Sequence, residues 1–297
     1  MTFKNIFFFL SLSALSAFFL SGVPNTYFYY KGFDQVFAYA GVENILLLGK
    51  PGAGYYGGEN TDSIVLLSIR NNGIALVYIP RDLVVQIGDA TYKINSLIPL
   101  GKQDELLREV SKFSGMHVDR YFEFDLALVR KLIDSTGGID VTLQRPVVDA
   151  VSGFTLPAGK HHLNGEWAEF VIRSRYAPEG DFFRMKNQVA ILKALGQELQ
   201  TMPKDKTLSV LYTIESSKQH YHTNLKPVEI VDLFSKLQKA SQYAITEAIP
   251  DFQSGLWKDG SIRIIVEGGY GNAYGLYPKE GIGDYTNVRA FIRDTLK

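Results

Sequence analysis

Apolar and polar positions along the chain alternate in blocks that predict strands and helices in turn. Asn44-Ile45-Leu46-Leu47-Leu48 is an apolar run of the kind that forms a buried strand, and 63–69 is a second. Asn71-Asn72-Gly73 supplies a tight turn into Ile74-Ala75-Leu76-Val77-Tyr78-Ile79, so these two strands are predicted to pair as a hairpin. Helical spacing runs over 104–113 and 126–136, the latter closed by Gly137-Gly138. Further helices are predicted over 188–199, 228–239 and 286–296, with strands over 139–143 and 262–266. Interleaved strands and helices, with at least one hairpin among them, predict an α/β fold: a three-layer α/β/α domain around a central mixed β-sheet. No repeat or low-complexity linker divides it, so one domain is expected over 41–297.

The N-terminal pattern differs. Ile6 to Val23 is a run of 18 residues without a charge. As a helix it would span about 27 Å, close to the hydrocarbon thickness of a bilayer. Residues 1–24 are therefore expected to be one N-terminal transmembrane helix acting as a membrane anchor, with a cleaved signal peptide ending near Ser21-Gly22 as the open alternative. Lys4 ahead of the run favours a cytoplasmic N-terminus, which places the rest of a single-pass protein outside the cytoplasm, at the cell membrane. Residues 25–40 are aromatic-rich and are expected to be a connector near the membrane surface.

Charge and composition then narrow the chemistry. The chain carries 31 Lys plus Arg against 31 Asp plus Glu, so no overall basic field favours nucleic acid, and an anion site must be built locally. With 0 cysteines, disulfides, thiolate nucleophiles and Cys-ligated metals are excluded. Gly52-Ala53-Gly54-Tyr55-Tyr56-Gly57 matches a dinucleotide fingerprint, but Gly58-Glu59-Asn60 leads into another strand where that motif requires a helix. His161-His162 and the His220/His222 pair lack the i, i+4 spacing of a zinc helix.

The informative stretch begins at Val171-Ile172-Arg173-Ser174-Arg175-Tyr176. If the apolar run is a strand, Arg173 and Arg175 share one face, where planar forked donors suit phosphate oxygens. Asp181, Arg184 and Gln188 follow at a helix start, the last two at i, i+4 on one face, and a helix N-terminus itself favours anions. Ile79-Pro80-Arg81-Asp82 sets a charged pair where a buried strand ends, a usual place for ligand sites in open α/β sheets. Asp62 precedes the neighbouring strand, and Tyr92-Lys93-Ile94-Asn95-Ser96 adds a cation and an amide. Singly, each has a bland reading as a cap, a surface pair or a solvated edge. Jointly they suggest a pyrophosphate cradle, with a divalent ion at Asp62 as one option.

The order Asn60-Thr61-Asp62-Ser63, Ile79-Pro80-Arg81-Asp82, Lys93-Ile94-Asn95-Ser96, Gly137-Gly138-Ile139-Asp140-Val141, Leu163-Asn164-Gly165, Arg173-x-Arg175 and Gly180-Asp181-Phe182-x-Arg184 with Gln188 resembles the LytR-CpsA-Psr family. The resemblance covers roughly residues 42–200. It implies a phosphotransferase that moves a glycopolymer from a polyprenyl-pyrophosphate carrier to peptidoglycan. By the same resemblance Arg81, Arg173 and Arg175, with Lys93 and Arg120 as further candidates, hold the pyrophosphate. Asp62 would bind Mg²⁺, Asp181 would orient or deprotonate the acceptor hydroxyl, and Arg184 with Gln188 would order that corner. A slot lined by aromatic and aliphatic residues would take the polyprenyl tail. Two positions depart from the family: Lys50 stands where many members have an aspartate, and Asn187 replaces an arginine before the glutamine. Two other readings share these residues. One is a hydrolase of lipid-linked pyrophosphates, and the other a non-catalytic envelope or regulatory protein that binds polyprenyl phosphates.

Overall fold

The structure, a computed structural model, describes residues 42–297 apart from 56, 71–72, 149–152, 176–179, 241–242 and 267–268. The expected anchor over 1–24, the connector over 25–40 and the turn residues Asn71 and Asn72 lie outside the described residues. Among the described residues no helix is long and apolar enough to cross a membrane.

Among the described residues the strands are, in chain order, β1 (Glu43–Lys50), β2 (Ser63–Arg70), β3 (Gly73–Ile79), β4 (Val84–Ile87), β5 (Ala90–Lys93), β6 (Arg120–Asp125), β7 (Ile139–Leu143), β8 (Val147–Val148), β9 (Thr155–Leu156), β10 (Gly159–Leu163), β11 (Tyr221–Thr223), β12 (Ile245–Ala248), β13 (Trp257–Val266) and β14 (Gly269–Pro278). The α-helices among the described residues are α1 (Gln103–Ser114), α2 (Leu126–Thr136), α3 (Gly165–Arg173), α4 (Asp181–Thr201), α5 (Lys204–Glu215), α6 (Pro227–Lys239) and α7 (Thr286–Thr295).

The central sheet has 6 strands in the order β11-β6-β1-β2-β3-β12. It is mixed: β1 runs parallel to β6 and β3 parallel to β12, while β2 is antiparallel to both its neighbours. The predicted hairpin of β2 and β3 is present, with Ile64 opposite Ile79. β2 is central and buried along almost its whole length, which is why its apolar run does not alternate. Helices cover both faces. Leu46 and Leu48 pack with Leu106 and Phe113 of α1 and Val288 of α7, whereas Ile45 packs with Val210 of α5 and Phe234 of α6.

The helices over 126–136 and 286–295 lie close to their predicted bounds, the first because its caps are local. Asp125 accepts from the Leu128 amide, and Gly137 takes φ 92° to end α2, a conformation that favours glycine. One element differs in type. Arg173 is the last residue of helix α3, although Val171-Ile172 suggests a strand. Asn164 caps that helix by accepting from Trp167 N at 3.0 Å, and Ala168 and Val171, three residues apart, bury one stripe in the second core. Packing overrides β propensity here. Gly165 allows the close crossing, since a Cβ there would lie 2.4 Å from the Arg130 carbonyl oxygen on α2.

Candidate functional site

Strand directions decide which residues meet. β1, β3 and β6 end on the same edge of the sheet, and antiparallel β2 begins there, so Lys50, Arg81, Asp125 and Asp62 all lie at that edge. The carboxyl ends of strands are the usual ligand edge of an open α/β sheet. Pro80 ends the ladder, and Leu83 N bonds Pro80 O at 3.0 Å, a turn that presents Arg81 and Asp82. The β4–β5 hairpin brings Lys93 alongside, and α4 delivers Asp181, Arg184 and Gln188 from across the edge.

Asp62 is the centre of this cluster. Its Oδ1 accepts from Arg81 Nη1 at 2.5 Å, and its Oδ2 accepts from Arg184 Nη1 at 3.1 Å and Arg175 Nη2 at 3.4 Å. Asp181 Oδ1 lies 3.1 Å from Arg81 Nε and 2.6 Å from Arg184 Nη2. Lys93 Nζ donates to Asp82 at 2.6 Å, and Asp82 in turn lies 3.7 Å from Arg81 Nε. Four cations and three carboxylates thus share one corner, and the arginine side of the corner is crowded. Arg184 is 3% exposed. Burial draws its guanidinium down to about 10, Asp181 opposes the fall, and neighbouring Arg81 adds to it. For Arg81 burial acts in the same direction, but Asp181, Asp62 and Asp82 outweigh it and raise the group above its usual value. Arg81 Nε, Arg184 Nε and Asp181 Oδ1 are buried and make no aligned hydrogen bond within the protein. Buried donors left without partners carry a free-energy cost that a bound anion removes.

Beside the cluster opens a cavity of about 630 Å³. Its mouth is lined by Lys50, Asp62, Arg173, Arg175, Arg184 and Gln188. Its interior is apolar, between Leu47, Phe122 and Phe124 of the sheet and Leu128 of α2 with Ile191 and Leu195 of α4. Phe122 and Phe124 alternate along β6, a period-2 signal visible in the sequence but not exploited there. The aliphatic residues from α2 and α4 carry no such signal, because the same spacing describes an ordinary core stripe.

Not every expected site residue joins the cluster. Arg173 reaches the cavity from a helix end rather than a strand, so it and Arg175 line the same cavity without the strand alternation that the sequence suggests. Its guanidinium stacks over the Tyr55 ring at 4.5 Å and lies 3.4 Å from Glu169, which also accepts from the Tyr55 hydroxyl at 3.0 Å. Arg120 lies elsewhere. β6 runs parallel to β1 with Arg120 beside Ile45 and Asp125 beside Lys50, so Arg120 sits about 16 Å away along the strand at ~3.3 Å per residue. There it pairs with Glu229 at 2.5 Å. Sequence order alone does not give a strand's direction in the sheet, which is why Arg120 looked eligible.

The resemblance assigns Mg²⁺ to Asp62. Both oxygens of this carboxylate are engaged by guanidiniums, and the β1–β2 register sets Lys50 as its cross-strand neighbour. The Lys50 ammonium is held at 2.9 Å by the buried Glu123 and at 2.7 Å by Glu59. Among the described residues no three His, Asp or Glu side chains gather around a metal-sized point. One carboxylate ringed by three guanidiniums does not fit a resident divalent cation.

The Gly52 to Gly57 loop joins two antiparallel strands and opens no helix, so its glycines serve a hairpin connection. Within it Gly58 lies so close to Gly52 that a Cβ would meet the Gly52 carbonyl oxygen at 2.2 Å.

The domain is thus a mixed α/β fold in which a cavity with apolar walls adjoins an arginine cluster. The sequence profile of the LytR_cpsA_psr family matches residues 29–268, and the chain belongs to this family. It is 29% identical over 204 residues to the polyisoprenyl-teichoic acid–peptidoglycan teichoic acid transferase TagV of Bacillus subtilis, covering 64% of this chain and 50% of TagV. It is 30% identical over 162 residues to the regulatory protein MsrR of Staphylococcus aureus, covering 52% of this chain and 49% of MsrR. The matched part thus spans about half the length of these relatives. In fold the chain is similar to the crystal structure of B. subtilis TagV, with a TM-score of 0.63 at 22% identity over 86% of this chain and 97% of that one. It is similar also to TagT bound to LIIa-WTA, with a TM-score of 0.64 at 19% identity over 90% of this chain and 94% of that one.

Proposed function

We propose that the protein is a membrane-anchored, extracytoplasmic phosphotransferase that moves a glycopolymer from a polyprenyl-pyrophosphate carrier to peptidoglycan. The observation that carries this reading is the junction of the apolar cavity with the arginine cluster. A branched hydrocarbon tail and a pyrophosphate head are both accommodated across one mouth. The relatives named as teichoic acid transferases support the glycopolymer and the peptidoglycan acceptor. The uncharged run from Ile6 to Val23 supports the anchor.

In this reading the tail lies against Phe122, Phe124, Leu128 and Leu195, and the pyrophosphate takes over the donors of Arg81, Arg175 and Arg184 that now converge on Asp62. Arg173, Lys50 and Gln188 border the same mouth. Asp181 accepts the proton of the acceptor hydroxyl as its oxygen attacks the phosphorus that bears the glycopolymer. The new O–P bond forms as the pyrophosphate bridge breaks, and polyprenyl phosphate leaves with its charge held by the guanidiniums. Phosphoryl transfer depends mainly on such positioning and charge neutralisation, not on covalent chemistry by the protein. Protein cations replace the second metal-binding carboxylate of the family in this chain, with Lys50 beside Asp62.

The test is turnover of a polyprenyl-pyrophosphate-linked saccharide with and without peptidoglycan. Transfer only in the presence of acceptor supports the reading. Phosphate release without acceptor makes the protein a hydrolase, and binding without turnover removes both enzymatic readings. Leu128→Trp, which fills the cavity, is expected to abolish binding of the prenyl donor while inorganic pyrophosphate still binds. Chelation is expected to leave pyrophosphate affinity unchanged in the wild type, and Lys50→Asp to make it magnesium-dependent.

A further inference from the structure

The strands β13 and β14 pair with each other and not with the central sheet, forming a two-stranded ribbon. A bare ribbon is marginal, so its root is anchored. Trp257 is 6% exposed, stacks on Phe113 with ring centroids 6.3 Å apart, and donates through Nε1 to Pro250 O at 2.7 Å. One face packs down on the domain. On it Gly275 lies so close to β4 that a Cβ would sit 2.3 Å from Val84 Cγ2, and Ile264 is buried.

The other face is of a different character. Register places Ser261 opposite Tyr274, Arg263 opposite Asn272 and Asp259 opposite Leu276. Asp259, Ser261, Arg263, Tyr270, Asn272 and Tyr274 share this side and are exposed, while Trp257, Leu276 and Pro278 on the same side are buried at the ribbon's root and Ile265, opposite Tyr270, is half-buried. Tyr270 and Tyr274 are 55% and 46% exposed. The guanidinium of Arg263 lies 4.9 Å over the Tyr270 ring. Two tyrosine rings interspersed with an acid, an amide, a hydroxyl and a guanidinium offer flat C–H stacking area together with hydrogen-bond partners. That is the chemistry of a hydroxyl-rich pyranose chain. It is too polar for a lipid surface.

The face is also continuous with the cluster. Leu276 N donates to Asp82 O at 2.9 Å, and Leu83 and Leu276 form a β-bridge, so the ribbon backbone is tied to the turn that carries Arg81 and Asp82. The Tyr274 hydroxyl is pushed up to about 12 by burial and by Asp259, with Asp82 and Asp181 adding to the rise, which sets its ring in the field of the carboxylate assigned to the acceptor. None of the six outward residues lines the apolar cavity, and neither do Arg81 or Asp181. Asp62 and Arg184 line the cavity and contact Arg81 and Asp181, so they stand between the lipid side and the ribbon side.

We propose that the outward face of the β13–β14 ribbon, centred on Tyr270 and Tyr274, binds the sugar chain of the acceptor and leads one of its hydroxyls to Asp181. The inference rests on the transferase reading above and adds where the acceptor lies: across the cluster from the lipid cavity.

Calorimetric titration of the full chain with a tetrasaccharide of β-1,4-linked N-acetylhexosamines tests it, alongside a parallel titration with polyprenyl pyrophosphate. Wild type is expected to bind the sugar saturably. Loss of one ring in Tyr274→Ala is expected to weaken sugar binding roughly tenfold, the order of an aromatic contact together with its buried area. Tyr270→Ala/Tyr274→Ala should abolish it. Tyr274→Phe keeps the ring and should bind within about threefold of wild type, the worth of one exposed hydrogen bond. In the transfer assay the Tyr274→Ala change should raise the acceptor KM more than it lowers kcat. Thermal melts of these variants should match wild type, because both side chains are exposed. Failure of the wild type to bind the sugar, or wild-type affinity in the double variant, overturns the proposal. Parallel loss of polyprenyl pyrophosphate binding overturns it too, because the ribbon would then belong to the donor side. Sugar binding by a wild type that fails to bind the lipid would leave the platform standing and remove the donor reading instead.

Discussion

The two ends of the central sheet each bring arginine and carboxylate together, and they do so in opposite ways. At one end Arg120 meets Glu229 at 2.5 Å and, more distantly, Asp119 at 3.9 Å, with all three side chains part-exposed or exposed, and Glu229 also accepts from the Lys226 amide at 2.6 Å at the start of α6. Burial would lower the Arg120 charge, but Glu229 outweighs it and the guanidinium is raised. At the other end Asp62 is shared by Arg81, Arg175 and Arg184, and the buried Nε atoms of Arg81 and Arg184 make no aligned hydrogen bond, although Arg81 Nε lies 3.1 Å from Asp181. A structural pair is satisfied and solvated. A site is over-supplied with one charge in a place water reaches poorly, so that a ligand completes what the fold leaves unfinished. The difference between the ends is one of stoichiometry and burial, since the residue types are the same.

Mutation separates the two ends most sharply through Arg81. Arg81→Ala is expected to lower turnover of the lipid-pyrophosphate donor by roughly 10²–10³-fold, the usual loss for one preorganised donor, while circular dichroism stays native. Wild-type turnover in this variant would remove the cradle. Asp62→Asn leaves three guanidiniums without their shared anion. It should cost about 2 kcal/mol in urea denaturation, below the value for a fully buried pair because the site is part-exposed. Inorganic pyrophosphate should then raise the Tm of this variant more than that of wild type. Arg120→Ala, at the far end, should cost only about 0.5–1 kcal/mol and leave turnover at the wild-type rate. The smallest effect is acidic. Burial would raise the Glu229 carboxyl, but the Lys226 amide and Arg120 outweigh it and hold it below its usual 4.5. A depressed carboxyl contributes stability that is present above about pH 4.5 and lost as pH falls through the lowered value. The stability gap between wild type and Glu229→Gln should therefore be constant at neutral pH and close in acid.

Much of the fold was legible because its signals are local. Asp125 ahead of Leu126 and Gly137 after Thr136 bracket α2 in the sequence as they do in space. The apolar runs of β1 to β3 and the Asn-Asn-Gly turn signal needed no distant partner to be recognised. α3 was misread as a strand because Val171-Ile172-Arg173 scores as β, and only the burial of Ala168 and Val171 against other elements makes it a helix. In the candidate site, Asp62, Arg81, Asp181 and Arg184 were found and do meet, since each stands at an element end. Arg120, at the opposite end of β6, does not meet them, and no local signal in the sequence marks Tyr274.

The sequence by itself determined the elements with local caps and turns, the absence of cysteine chemistry, and the family that the ordered motifs mark. Tertiary structure alone decided which charges converge, because strand direction and register are long-range choices made by burying two faces of one sheet. It set Lys50 beside Asp62, sent Arg120 to the far edge, and drew Phe122, Leu128 and Leu195 from three separate elements around one cavity. No local pattern encodes a cavity: its walls carry the same apolar periodicity as a filled core, and only the packing shows that they stand apart.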